Sequence, residues 1–198
     1  MTFSIVPQIK DFQEEILAGA RQIYKRVTFS YADVNKKAIA PRVLVREILV
    51  RSDASSILLY NRKKGTVVLV RQFRLATFMS GNPDGMLIEA CAGQIDGDET
   101  PEQTVIRETK EETGFIISNI EPVFEAYMSP GAVTEKLYFF LAEYDTSNRL
   151  TVGGGIDDEE IEVLELPLSQ ALKMIRAKTI VDAKTIMLLQ HLAIKLAV

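Results

Sequence analysis

The chain of 198 residues is short of the residues on which several enzyme classes depend. It has no tryptophan, one cysteine, Cys91, and one histidine, His191. A single cysteine excludes an internal disulfide and a cysteine-rich zinc site. A single histidine leaves a Ser-His-Asp triad only one possible base, and no Gly-x-Ser-x-Gly elbow accompanies it. Both residues read as members of the core. No uninterrupted apolar run approaches the roughly 20 residues needed to span a bilayer. The start, Met1-Thr-Phe-Ser-Ile-Val-Pro7, lacks the basic opening and apolar stretch of a secretory leader, so a soluble cytoplasmic protein is expected. Positive charge is scarce too, with 23 Lys and Arg against 27 Asp and Glu and a net charge of −4. That balance suits neither polymeric nucleic acid nor an anionic membrane. It leaves room for a small anionic ligand met through a metal or local cations. With 47% hydrophobic and 25% charged residues the chain is an ordinary globular mixture, not a largely disordered chain, a collagen or a coiled coil.

At this length the chain is one domain with an appendage, or two small domains, and it can bury a sizeable core without disulfides. Residues 1–53 read as an N-terminal β subdomain. Tyr24, Val27, Phe29 and Tyr31 favour a strand over 24–32, and a second strand runs from Val43 to Val50. Phe12, Ile16, Leu17 and Ala20 suit a helix or a strand equally. Lys36-Lys37 reads as a polar turn, and Arg51 to Ser55 as a linker or turn. Residues 54–198 form a second, α/β region. Ile57–Tyr60 and Thr66–Val70 flank Asn61-Arg-Lys-Lys-Gly65, a hairpin signal. Strands follow at 86–90, 123–127, 136–144 and 161–166. Gly153-Gly-Gly155 and Asp157-Asp-Glu-Glu160 make an acidic, mobile loop. Pro167 opens a helix, and Asp182 caps the last one, which carries Ile186, Leu189 and Leu192 at helical spacing.

The chemistry is concentrated between Gly93 and Phe115. Thr100 is a good N-cap, Pro101 fits the first helical position, and Gln103 completes a capping box, so a helix is predicted over 101–113 and closed by Gly114. Val105, Ile106, Thr109 and Thr113 share one side of it. Glu108, Glu111 and Glu112 form a neighbouring stripe. Like charges at i,i+4 cost a helix roughly 0.2–0.5 kcal/mol per pair, and the C-terminal dipole disfavours them as well. A hard divalent cation would repair both faults, and Mg²⁺ characteristically takes one or two protein carboxylates together with substrate phosphates. For an isolated E-x-x-E-E the plainer reading is a solvated acidic face, partly neutralised by Arg107 and Lys110.

The spacing of the whole segment decides against that plainer reading. It follows G-x5-E-x7-R-E-U-x-E-E-x-G-U at Gly93, Glu99, Arg107, Glu108, Glu111, Glu112 and Gly114. At average residue usage such a match arises by chance on the order of once in a million chains of this length. The one departure is Thr109, where a bulky apolar residue is usual. This motif is the Nudix box, and the chain resembles the Nudix hydrolases.

The resemblance continues beyond the box. Tyr127-Met-Ser-Pro-Gly-Ala-Val-Thr-Glu135 is similar to the loop that follows the box in the ADP-sugar and GDP-sugar pyrophosphatase branch. Ser56–Asn61, Val70–Arg74, Gly153–Val163, Leu164–Leu172 and Asp182–Thr185 are similar to its GDP-mannose-cleaving members. The likeness covers roughly residues 24 to 190. It implies the Nudix fold, an αβα sandwich with a mixed sheet, and an N-terminal β-strand subdomain that packs on a partner in a homodimer. It implies a Mg²⁺-dependent pyrophosphatase acting on a nucleotide sugar, with GDP-mannose ahead of ADP-ribose. The metal ligands it implies are Glu108, Glu112, the Ala92 carbonyl and a loop acid, foremost Glu159, with Asp157, Asp158 and Glu160 as substitutes. Glu111 would join a second metal, while Arg107 and Glu99 would shape the site as a charge pair. The implied substrate residues are Tyr24, Arg46, Glu47, Arg74, Ala92, Gly93, Gln94, Glu112, Glu135, Asp158 and Lys184, with Arg46 and Glu47 contributed across the dimer. The implied proton acceptor is Glu159 or Glu135.

Two other readings compete. Pro130 lies fifteen residues past Phe115, a spacing that ADP-ribose pyrophosphatases share, so the loop after the box does not separate the two substrates. A non-catalytic module that senses a nucleotide sugar would be expected to lose box acids or to carry a DNA-binding segment. This chain keeps every box acid.

Overall fold

The computed structural model describes residues 5–20, 22–36, 40–156 and 160–197. The chain divides into two compact units, Met1–Ser52 with Ser129–Glu135, and Asp53–Met128 with Lys136–Val198.

The smaller unit is a three-stranded antiparallel sheet of β1 (Pro7–Gly19), β2 (Ile23–Asp33) and β3 (Arg42–Val50), in that order. The stretch that suited helix or strand is therefore strand: pairing with β2 satisfies its backbone from Pro7 opposite Asp33 to Gly19 opposite Ile23. Two register breaks interrupt that ladder. Asp11, at φ 53°, lies in the first of them, and its carboxylate accepts the Ser30 hydroxyl at 2.8 Å. Aspartate is among the residues that best tolerate this left-handed conformation. Lys36 follows the turn after β2, where its N–H donates to the Asp33 carbonyl; Lys37 lies outside the described residues. Residues 129–135 join this unit through β3: the Leu49 N–H donates to the Ala132 carbonyl and the Thr134 N–H to the Leu49 carbonyl. Val27 is the one buried residue of this unit among those described.

The larger unit is built on a mixed seven-stranded sheet. Its main path is β10 (Glu162–Pro167), β5 (Thr66–Phe73), β4 (Ala54–Asn61), β9 (Lys136–Glu143) and β8 (Ile120–Tyr127). β6 (Met86–Glu89) adds to β5 and β7 (Cys91–Gln94) to β4. β4 and β9 run parallel, and the other pairs are antiparallel. The central strands are apolar on both faces because both are covered. Leu58, Val67, Leu69, Phe139 and Leu141 pack with Leu168 and Ala171 of α3 (Leu168–Arg176) and with Leu188, Leu189 and Leu192 of α4 (Ala183–Leu196). Their strand neighbours Ile57, Leu59, Val68 and Phe140 point the other way, to Val105 of α2 (Pro101–Glu108) and to Phe115. That alternation makes an αβα sandwich. A five-residue helix, α1 (Leu75–Met79), follows β5, and no sequence signal marked it.

Ala54 and Ser55, expected in a linker, belong to β4. They pair with Gln94 and Gly93 on one side and with Leu137 and Tyr138 on the other. The turn at Asn61–Gly65 forms as expected: Gly65 takes φ 67° and donates to the Asn61 carbonyl, while Lys64 N–H donates to the Asn61 side chain. Cys91 is a core residue, 2% exposed. His191 is half-buried, edge-on to Phe124 at 5.8 Å. Among the described residues no helix is long and apolar enough to cross a membrane.

Candidate active site

The acid-bearing helix starts as its sequence dictates. Thr100 Oγ1 accepts the Gln103 N–H, and Gln103 Oε1 accepts the Thr100 N–H at 2.8 Å. It does not stay α-helical to residue 113. α2 ends at Glu108 and Thr109–Thr113 form a π turn. The Thr113 hydroxyl donates to the Thr109 carbonyl, the kind of back-bonding that bends a helix, and π turns of this kind recur at functional sites. Gly114 then closes the segment at φ 75°. Val105, Thr109 and Thr113 are buried, but Ile106, expected beside them, is 42% exposed. The sheet covers only part of the side that these four residues were expected to share.

Arg107 is the hub of the acidic stripe. Its Nε and Nη2 donate to the two oxygens of Glu99 at 2.9 and 3.0 Å. Its Nη1 donates to Glu108 at 2.6 Å and Glu111 at 3.2 Å, and Nη2 also reaches the Gln94 carbonyl at 3.3 Å. The Arg107 hydrogen bonds hold the Glu99 carboxyl down to about 2, and the same bonds raise the guanidinium above its ordinary range against the cost of burial. Arg107 and Glu99 thus join the loop before the helix to the helix itself.

The acids do not form a solvated face. Glu112 is only 3% exposed, and the Glu108 side chain is mostly buried. β7 runs so close to Glu108 that a Cβ added to Gly93 would stand 1.8 Å from its Oε1. Only glycine lets the backbone approach the carboxylate this closely. Burial pushes the Cys91 thiol well above its ordinary value, with the carboxylates of Glu112 and Glu108 adding to the effect. Buried carboxylates, with the backbone of Ala92 and Gly93 passing beside one of them, offer oxygen donors alone, which suits a hard divalent cation. Among the described residues, no three His, Cys, Asp or Glu side chains meet as a metal-holding group.

The glycine run seats the loop that carries the remaining acids. Gly154 N–H donates to the Glu112 carbonyl at 2.9 Å and Gly155 N–H to the Glu111 carbonyl at 3.2 Å. These bonds take up carbonyls that the end of a helix leaves without partners. Gly153, at φ 71°, passes so close that a Cβ would lie 2.3 Å from the Glu112 oxygen. Residues 153–155 are therefore tied to the helix end, where the sequence suggested only a mobile acidic loop. Asp157, Asp158 and Glu159 lie outside the described residues; Glu160 is exposed.

A second charged cluster lies at the end of β6. Glu89, 3% exposed, accepts Arg74 Nε at 2.7 Å on one oxygen and Lys184 Nζ on the other. Lys184 also pairs with Asp182 at 3.0 Å. Burial works against the charges of Arg74 and Lys184, but Glu89 and Asp182 more than offset it and keep both cationic. The charge of Glu112 also acts on Arg74, which links this cluster electrostatically to the acidic helix. The resemblance singled out Arg74 and Lys184 and did not include Glu89. The available signal was a lone charge ending the apolar run Met86-Leu-Ile88.

The other expected residues lie in the smaller unit. Tyr24 and Glu47 share one face of its sheet, with the Tyr24 hydroxyl donating to Glu47 at 2.6 Å. Arg26, which carried no sequence signal, joins them and bridges Glu47 at 3.2 Å and Glu15 at 3.1 Å. These two hydrogen bonds, Tyr24 first, lower the Glu47 pKa. Arg46 is one residue along β3 and so faces the opposite way, with Nη1 on the Val45 carbonyl at 2.7 Å. Glu135 pairs with Arg51 at 3.3 Å.

The family model of the NUDIX domain matches residues 50–189. This chain belongs to the Nudix family. The box runs from Gly93 on β7 through Glu99 in the loop after it, then along α2 and the π turn to Gly114, which closes the segment. The chain is 57% identical to the GDP-mannose pyrophosphatase of Pectobacterium atrosepticum over 151 residues, 76% of this chain and 78% of that one. It is 48% identical to that of Cronobacter sakazakii, over 92% of this chain and 94% of the other. The Salmonella typhimurium enzyme of the same name is 49% identical over 91% and 92%. Among solved structures, one described as an ADP compounds hydrolase superposes with a TM-score of 0.74, covering 99% of this chain and 97% of the other at 18% identity. At that identity it shows a shared fold and nothing about substrate.

Proposed function

We propose that this Nudix hydrolase cleaves the pyrophosphate bridge of GDP-mannose to GMP and mannose 1-phosphate, with Mg²⁺ as its cofactor. The observation that carries the reading is the near full-length identity to GDP-mannose pyrophosphatases, 48% over 92% of the chain in one case, together with a complete box whose acids are drawn into the fold. Glu108, Glu112 and the Ala92 carbonyl hold the metal, with Glu159 as the loop acid that completes the set. Mg²⁺, when bound, supplies neutralisation of the pyrophosphate charge and acidification of water. Glu159, or else Glu135, takes the proton of the attacking water. Attack in line on one phosphorus breaks its bond to the bridging oxygen, and the other phosphate leaves with that oxygen. Gly93 and Gln94 line the substrate beside the acidic helix, where Glu112 and Asp158 also contact it, and Arg74 and Lys184 meet its anionic phosphates.

The protein works as a homodimer through its N-terminal strands. The support is the amount of apolar side chain left in water by the smaller unit: Ile9 is 56%, Phe12 59%, Ile16 65% and Val43 70% exposed. A sheet of three strands needs a surface to cover if it is to be stable. Tyr24, Arg46 and Glu47 are the substrate residues of that unit, with Arg46 and Glu47 delivered to the partner copy. A cytoplasmic location is part of this reading. The test of substrate is a panel of nucleoside diphosphate sugars with Mg²⁺, scored by phosphate released after a coupled phosphatase. GDP-mannose is expected to lead ADP-ribose by about tenfold or more in kcat/KM, a factor worth about 1.4 kcal/mol. A preference for ADP-ribose would overturn the substrate and leave the metal site standing.

A further inference from the structure

Glu89 stands at the end of β6 and is almost wholly enclosed. Its two oxygens are taken by two cations distant in sequence, Arg74 between β5 and α1 and Lys184 in the first turn of α4. We propose that Glu89 is a positioning residue for substrate binding, aiming Arg74 and Lys184 as one pair of cations at a phosphate of the nucleotide sugar. The proposal rests on the reading above that those two cations touch the substrate.

A purely structural role does not account for Glu89. A buried ion pair is weak evidence for a stabilising role, because desolvation offsets much of the attraction, although removing one partner alone is costly. The backbones that carry the cations are anchored without it. At α4, the Ala90 N–H donates to Thr185 Oγ1 at 2.6 Å, and Thr185 donates in turn to Asp182 at 2.6 Å. That chain joins β6 to the helix through a neutral hydroxyl, and the Asp182 side chain also caps the helix through Thr185 N–H. At the other cation, the Arg74 N–H donates to the Gly85 carbonyl at 2.8 Å, and its carbonyl accepts from Thr77 and Phe78. What Glu89 adds is the direction of two side chains. Two cations would otherwise repel each other and splay. Glu89 holds Arg74 by Nε alone, and the Arg74 side chain remains 40% exposed. A guanidinium held at Nε still has both terminal nitrogens to offer, and these suit the paired oxygens of a phosphate.

The test compares Glu89→Gln, Glu89→Asp, Arg74→Ala and Lys184→Ala in the full chain with Mg²⁺ and GDP-mannose, and repeats Glu89→Gln in the Arg74→Ala/Lys184→Ala background. Thermal melting reports folding. Glu89→Gln is expected to raise KM about tenfold and to change kcat by less than about twofold, since ground-state and transition-state binding fall together. Glu89→Asp keeps the charge but withdraws it by one methylene, and it should fall between wild type and Glu89→Gln. In the background lacking both cations Glu89→Gln should change KM by less than about twofold, because the pathway through which it acts is gone. A folded Glu89→Gln protein with unchanged KM overturns the proposal, as does a loss of melting temperature with unaltered kinetics. So does an undiminished effect in the background without the cations. If Glu89→Gln does not fold, Glu89→Asp decides: a wild-type KM there is equally fatal. Should Arg74→Ala and Lys184→Ala themselves leave KM untouched, the reading of those cations falls and takes the proposal with it. Strong effects from both cations with silence at Glu89 defeat the proposal alone.

Discussion

The two units solve the problem of a sheet in water in opposite ways. In the larger one the inner strands β4, β5 and β9 are covered, and Ile57, Leu58, Val67, Leu69 and Leu141 have no exposed surface at all. In the smaller one β1 is exposed along almost its whole length and Val27 is the one buried residue among those described. A unit with its own core can hold buried carboxylates such as Glu112 and Glu89 in fixed places. A unit without one has apolar surface to give away. The lesson is a division of labour in which rigid burial serves chemistry and, on the reading proposed above, exposed strand serves assembly.

The sharpest break of that comparison is at Glu112. Replacing it with Gln removes one charge from the larger unit and should cost several kcal/mol of transition-state stabilisation, about 10³-fold in kcat, with the melting temperature kept or raised. Wild-type turnover in the folded variant would remove Glu112 from the machinery. The next effect is on assembly. Ile9→Asp/Ile16→Asp places charge on side chains that are already exposed, so an isolated copy should fold normally. Light scattering should show a dimer becoming a monomer, while Ile194→Asp, at a position 81% exposed in the larger unit, leaves the mass unchanged. A dimer that survives the double substitution contradicts the assembly surface. A smaller effect concerns acid stability. Glu99 has its pKa lowered in the folded chain to about 2, from an ordinary 4.5, by the hydrogen bonds from Arg107. Its stabilisation is therefore full above the unfolded value and is lost as pH falls from about 4.5 through about 2. Glu99→Gln should lower the melting temperature at pH 7 by roughly 2–4 °C and flatten its fall over that acid window. An unchanged acid profile would mean that the Arg107 pair does not steady the loop.

Much of the larger unit was legible in the sequence because its signals are local. The capping box at Thr100 and Gln103, the turn at Asn61–Gly65 and the cap at Asp182 all appear where short-range rules put them. The acids could be placed on one helix for the same reason. The π turn could not be foreseen, since it depends on what Thr109 and Thr113 do once buried. Nor could the burial and pairing of Glu89, whose partner Lys184 lies 95 residues away. Ala54 and Ser55 were misjudged because their strand character comes from two neighbours, β7 and β9, and not from their own propensity. The opposite facing of Arg46 and Glu47 follows from strand alternation alone.

The most direct test of the account is to follow GDP-mannose hydrolysis in ¹⁸O-labelled water by ³¹P NMR and mass spectrometry. Cleavage of the bridge as proposed predicts GMP and mannose 1-phosphate in equal amounts, with one label on a phosphate oxygen. GDP and free mannose, with the label in the sugar, would contradict it.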